Sequence, residues 1–226
     1  RHALMGERIG VDITNMITET ADAIFQEARQ ANDFEGLKMD VMQTFAIEVP
    51  FEEDVFLHGK RDELRNQLAE AALDSFKRRM EKLTQIADPV LQRVYEEKGQ
   101  MYENILIPIT DGKKVYNISV NLKAAAETHC KEVVKEFEKR MLLFVIDDEW
   151  KEHLRQLDDL KQSVQNASYE QKDPLLIYKI ESFHIFQAML DALNRRAIAI
   201  LLRGQIHQQE PDRVQQAQQH RRMDYS

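Results

Sequence analysis

The sequence is poor in the residues that turn a chain. Seven Gly and five Pro in 226 residues fall well below the roughly 12% of ordinary usage, too few for the many turns of a β-sandwich or barrel. The single cysteine, Cys130, has no partner within the chain, which excludes a disulfide framework and suits a reducing cytosol. Long apolar runs are also missing. Stretches such as Met141 to Ile146 and Ala197 to Leu202 fall far short of the ~18 residues a membrane-spanning helix needs, and no signal-peptide pattern opens the sequence. Basic side chains are outnumbered 31 to 39, for a net charge of −8, which argues against duplex nucleic acid as the main ligand because phosphate binding needs a basic surface. A phosphate-cradling loop is absent too: Gly-Lys occurs at Gly59 and Gly112, but Asp54 and Ile107 stand five positions earlier, where that loop requires glycine. Neither binding nor hydrolysis of ATP is expected of this chain alone.

What is present is helical periodicity. From Leu4 to Gln30, Ile9, Ile13, Met16, Thr20 and Ile24 recur at steps of three and four, the mark of a long one-sided helix. Because that pattern is running almost from Arg1, the sequence reads as a piece of a longer protein. Asn32 and Asp33 break the period and cap a second helix, about Phe34 to Phe45, and Pro50 marks a bend. A third helix runs from Lys60 to Leu83. Asp88-Pro89 has the form of an N-cap and first helical residue, opening a short helix that Gly99 ends. Between Asn104 and Val120 the period changes to alternation around Asp111-Gly112, which predicts one hairpin, its Pro108 strand restricted to an edge. From Asn121 a helix with no breaker continues to about Gln165, and after Asp173-Pro174 another follows to about Gly204. Joined by a short polar connection, these two form an antiparallel pair. The Gln-rich tail, residues 205–226, has no apolar period and reads as a disordered linker.

Candidates for chemistry are few. Glu181 and His184 have the Glu-x-x-His spacing of carboxylate-bridged di-iron bundles, which requires the motif twice, and no other His has Glu three residues before it. Glu149 and His153 could approach that pair across the two helices, so a single metal ion is a rival reading, against exposed histidines on charged faces. Cys130 beside His129 suggests a nucleophile and base, but neighbours on a helix point about 100° apart. Trp150 and the Phe residues at helical spacing read as core before they read as a stacking platform. Tyr169 sits alone at the apex of the predicted helix pair, either as an ordinary surface tyrosine or as a probe for another chain.

The run Trp150-Lys151-Glu152-His153-Leu154, then Leu157-Asp158, Leu160 and Tyr169, then Gln171-Lys172-Asp173-Pro174 with Tyr178-Lys179, Glu181-Ser182-Phe183 and Met189-Leu190, resembles SecA, the ATPase motor family of bacterial protein secretion. The match is gapless from Trp150 to Pro174, strong over about Met141 to Leu201, and elsewhere carried only by the order of elements. The resemblance implies a mainly α fold: residues 1–31 and 129–204 as a long-helix scaffold domain, and 32–128 as a helical wing domain carrying one small β-hairpin. It implies that Asp147 to Gln165 and Pro174 to Arg203 form a two-helix finger packed through Trp150, Leu154, Leu157, Phe183, Phe186 and Leu190. Tyr169 at the tip, with Gln171 and Lys172, would contact a translocating polypeptide. No catalytic residue and no metal is implied for this chain; ATP and magnesium belong to motor domains outside it. The implied partners are unfolded preprotein, the SecYEG channel and an anionic membrane surface, with no nucleic acid, at a cytoplasmic location peripheral to the inner membrane. Two departures stand at the tip: Asn166-Ala167-Ser168 where the family usually has Leu-Arg-Gly, and Glu170 in place of Ala. The rival from another class is a coiled-coil scaffold that only holds partners together.

Overall fold

A computed structural model describes residues 9–167 and 173–207. Among them the chain forms α1 (Ile9–Ala31), α2 (Phe34–Phe45), α3 (Glu53–His58), α4 (Arg61–Lys98), β1 (Asn104–Thr110), β2 (Val115–Asn121), α5 (Leu122–Glu127), α6 (Lys131–Ala167), α7 (Pro174–Arg203) and β3 (Gln205–Ile206). The fold is mainly α, with one small antiparallel sheet.

Helix α1 buries Ile13, Ile17, Ala21, Ile24 and Ala28 along one face, as their spacing dictates. Asn32, at φ 53°, turns the chain out of α1, and the Asp33 carboxylate accepts from the Gly36 N–H at 2.8 Å to start α2. Where the sequence predicts only a bend near Pro50, the chain also forms the short helix α3. Its Phe56 is fully buried, with ring centroids 6.1 Å from Phe25 and 5.3 Å from Phe34. The Arg29 guanidinium of α1 donates to the carbonyls of Phe56 and Leu57. One buried aromatic and one long cation thus hold six residues too few to be a stable helix alone.

Three further expectations give way to tertiary packing. First, α4 is one helix through Pro89, not two. Phe76, Met80, Leu83, Ala87 and Leu91 are buried on both sides of the proline. Burying such side chains is worth about 1.5 to 3 kcal/mol each, which offsets the ~3 kcal/mol of an interior proline. Asp88 is therefore not a cap: it accepts from Gln92 at 3.2 Å and lies 3.1 Å from the His129 ring.

Second, the helix expected from Asn121 to Gln165 is broken at Thr128–Cys130, although no Gly or Pro stands there. His129 and Cys130 adopt left-handed φ of 47° and 64°, at about 1 to 2 kcal/mol each for a residue with a β-carbon. The break lets Leu122 and Ala125 of α5 and Cys130 itself be buried together. Asn121 still caps α5, accepting from the Ala124 N–H at 3.0 Å.

Third, β1 is the central strand, in the order β2-β1-β3, so Pro108 does not lie on an edge. The hairpin register runs from Asn104↔Asn121 to Thr110↔Val115. On the other side β3 pairs with Ile109 and Thr110, and the His207 N–H donates to the Pro108 carbonyl at 2.8 Å. In an antiparallel strand a residue's N and C=O face the same neighbour, so the donor that proline lacks falls on the β3 side and the ladder to β2 is unharmed. Gln205 and Ile206 are accordingly strand, not the start of a disordered linker; the tail from residue 208 lies outside the described residues.

Apolar side chains from α1 through β2, from α5, from α6 as far as Val145 and from α7 after Ala197 join in one buried cluster. Between Val145 and Leu193, which still packs against it, the two long helices leave the cluster.

Candidate functional site

The long helix pair is the element on which the sequence places its candidate residues. Asp173 caps α7, its carboxylate accepting from the Leu175 N–H at 3.0 Å, and Pro174 occupies the first helical position, where the missing N–H costs nothing. The helices are antiparallel: near their base Arg196 of α7 donates to Asp148 at 2.7 Å and Glu149 at 2.8 Å on α6, and farther out His153 of α6 lies 5.7 Å from the Phe186 ring of α7. The guanidinium pKa is raised by its hydrogen bond to Glu149 and then by Asp148, burial opposing. Arg195, one residue away, turns the other way and binds Glu27 of α1 at 2.7 Å. With Asp40 of α2 also 3.7 Å from Arg195, consecutive arginines tie α7 to three different elements.

Of the residues predicted to pack the pair, Leu157 is half-buried, whereas Trp150, Leu154, Phe183, Phe186 and Leu190 all keep substantial exposure. The closed positions of this outer stretch are His153, Val164 and Met189. His153 is 5% exposed, lies 5.4 Å from the Trp150 ring, and has a buried Nδ1 with no hydrogen-bond partner among the described residues. Outside the closed seam, Leu175, Leu176 and Ile180 add to the exposed apolar surface. Tyr169, Gln171 and Lys172 lie outside the described residues.

The rival metal reading is not assembled. Glu149 is engaged by Arg196, His153 is wedged between aromatic rings, and His184 lies 3.9 Å from Glu181 on its own helix. Among the described residues no group of three His, Cys, Asp or Glu side chains converges as a metal site. Cys130 is fully buried and its thiol is pushed up to about 12 by burial, with Asp88 adding to the shift, the opposite of an activated nucleophile. No described helix is long and apolar enough to cross a membrane.

Sequence reasoning misses Arg196. Its partners lie on another helix, so no i,i+4 spacing reveals them; the adjacent acids Asp148-Glu149 on a mostly apolar stretch are the available hint.

A model described as SecA Wing and Scaffold domain matches residues 1–205. The chain belongs to the SecA wing and scaffold family. The protein translocase subunit SecA of Parabacteroides distasonis is 56% identical, over 96% of this chain and 19% of that protein. The SecA of Bacteroides thetaiotaomicron is also 56% identical, over 100% of this chain and 21% of its own length. That of Christiangramia forsetii is 38% identical, over 96% and 20%. The chain thus spans about a fifth of the length of these SecA relatives.

Proposed function

We propose that this chain serves as the wing and scaffold part of a SecA-type protein translocase, passing the motion of ATP-driven domains to an unfolded preprotein at the SecYEG channel. The observation that carries the reading is the outer part of the α6–α7 pair. It leaves the buried cluster and exposes Trp150, Leu154, Leu175, Leu176, Ile180 and Phe183. An apolar face of this kind on a helix pair braced at its base is a surface for other polypeptide. Family membership supplies the rest. The translocase relatives are about five times as long, so ATP and magnesium are assigned to parts of the parent protein beyond this chain. The division into scaffold (1–31 and 129–204) and wing (32–128) follows the same assignment. So do the finger Asp147–Gln165 with Pro174–Arg203, its polypeptide-facing tip at Tyr169, Gln171 and Lys172, and a cytoplasmic setting at an anionic membrane face.

The test is made in the full-length parent. Tyr169→Ala should impair translocation of a secretory substrate while ATP turnover persists, and Tyr169→Phe or Trp should retain much activity, since an aromatic face contacts apolar and peptide groups without demanding one sequence. Stability should change by no more than about 0.5 kcal/mol, as for an ordinary surface position. Full translocation by the Ala variant would favour a passive coiled-coil scaffold. Binding of ATP by the 226-residue chain at micromolar concentration would overturn the assignment of the nucleotide to other domains.

A further inference from the structure

The sheet is complete along only part of β1. Two backbone bonds bracket the hairpin: the Asp111 N–H donates to the Lys114 carbonyl at 3.3 Å, and the Leu122 N–H donates to the Glu103 carbonyl at 2.9 Å. Backbone groups alternate in direction along an antiparallel strand, so Ile105, Ile107 and Ile109 bond to β2, while Asn104, Leu106, Pro108 and Thr110 face the other way. On that other side β3 pairs only with Ile109 and Thr110, and the His207 N–H reaches the Pro108 carbonyl. Among the described residues nothing pairs with Asn104 or Leu106 there. Their N–H and C=O groups stand open on the line that β3 begins.

A cavity of about 390 Å³ lies against this edge. It is walled by Ile86 and Val90 of α4 and by Ile105 and Leu106 of β1, and closed at one end by Ile206 and His207; every lining residue but His207 is apolar. Val90 and Leu106 are 61% and 66% exposed. Proteins ordinarily blunt an open strand edge with charges, bulges or a covering element. Here Asn104-Ile105-Leu106-Ile107 carries no charge in a chain that is 31% charged, and the facing helix contributes only apolar side chains to the cavity.

These two features together select one class of ligand. An apolar cavity alone accepts any apolar molecule, but open N–H and C=O groups at strand spacing are satisfied by a ligand that brings a backbone of its own. A charged segment would find no charged lining residue to pair with. The neighbouring stretch of the same edge already shows this mode of recognition, because β3 pairs there backbone to backbone and packs Ile206 against the buried cluster.

We propose that this edge and its cavity dock an extended, apolar segment of an unfolded partner polypeptide, which adds a strand to β1 in line with β3. The segment bonds to the backbone of Leu106 and Asn104, and every second side chain enters the cavity. The chain's own continuation is the poorer occupant by its chemistry, since Gln208-Gln209-Glu210 is polar and Pro211 has no N–H to donate. The site is separate from the outer face of the α6–α7 pair, and the proposal does not depend on the translocation reading.

The test uses the whole 226-residue chain and a short fluorescent peptide alternating Val and Thr between terminal lysines, followed by anisotropy. Saturable binding is expected. Methylating each backbone nitrogen of the peptide removes its donors while adding apolar surface, and should weaken binding by about tenfold or more. Leu106→Pro deletes an N–H that faces the cavity and spares the ladder to β2, as Pro108 does, and should weaken binding by about three- to tenfold. Val90→Glu, at an exposed position of α4, should weaken it by about tenfold or more. Leu175→Glu, on the outer helix pair, should leave it unchanged. The methylated peptide requires no change to the protein, so it decides the matter if a variant disturbs folding. The proposal is overturned if the methylated peptide binds as well as its parent, if Leu175→Glu costs more than Val90→Glu, or if no binding saturates. Peptide binding that appears only in Gln209→Pro, the position that the β1–β3 register would bring to Leu106, would overturn it in favour of the chain's own tail. Self-association lost in Leu106→Pro would do so in favour of a second copy, and binding by this chain but not by the full-length parent in favour of a strand from elsewhere in that protein.

Discussion

Gly204 stands so close to Phe137 that a β-carbon on it would lie 2.7 Å from two atoms of the ring. Phe137 is fully buried and cannot retreat without disturbing its neighbours, so the end of α7 is seated on α6 by the absence of a side chain. Gly204→Ala should destabilise the chain by about 1 to 3 kcal/mol, the cost of overpacking. Gly10→Ala, where a β-carbon meets nothing within 4 Å among the described residues, should instead be neutral or gain up to about 1 kcal/mol from helix propensity. Thermal unfolding of the two variants checks the contrast, and equal midpoints would refute it.

Arg196 should be worth more than its partial exposure suggests. Arg196→Ala leaves the largely buried Glu149 without its donor, and a loss of about 1 to 3 kcal/mol is expected. Arg196→Lys should recover only part, because one ammonium cannot present a planar fork to two carboxylates. A double-mutant cycle between Arg196 and Glu149 should give a coupling above about 0.5 kcal/mol; additivity would reduce the clamp to a surface pair.

Glu138 gives the chain a pH dependence of definite sign. It is 7% exposed, and burial pushes its carboxyl from 4.5 to about 7. The folded chain therefore holds more protons than the unfolded one between these values, so this group's contribution to stability falls as pH rises through that window. Glu138→Gln should flatten that slope and be more stable than the parent by about 1 to 3 kcal/mol above the window. Urea unfolding across the range from acid to mildly alkaline pH measures it; a slope unchanged in the variant would remove Glu138 as its source.

Among the described residues His153 carries a buried ring nitrogen without a partner, between Trp150 and Phe186. A side chain with no polar atom should fit at least as well. His153→Phe is expected to leave stability unchanged or raise it by about 1 kcal/mol, since an unsatisfied buried group costs more than an apolar one of similar shape. A large loss of melting temperature would mean that the imidazole has a partner of its own.

Legibility in the sequence tracked the range of the interactions responsible. The α1 stripe, the Asp33 and Asp173 caps and the Asp111-Gly112 turn are decided within a few residues, and each could be read directly. The break at Thr128–Cys130 and the continuity of α4 through Pro89 run against local signals because burial of distant side chains outweighs them. The pairing of β3 with β1 joins residues far apart in the chain and leaves no periodic trace. At the candidate site the helix pair was legible from its stripes, but which positions close the seam was not: His153 and Met189 are buried while Leu154 and Leu190 are more open. The family resemblance rested on the same stretch, Trp150 to Pro174, whose tip at Tyr169 lies outside the described residues.

The placement of β3 has a consequence for how the chain comes off the ribosome. Both strands of the β1–β2 hairpin are synthesised more than eighty residues before Gln205, and a hairpin formed without β3 would present β1 as a bare edge of backbone groups, a template for unwanted pairing. In chain order β3, the last strand among the described residues, follows both long helices, so it cannot pair with β1 until they have been made. Pro108 interrupts that waiting edge, because its ring offers no N–H for a stray strand to bond.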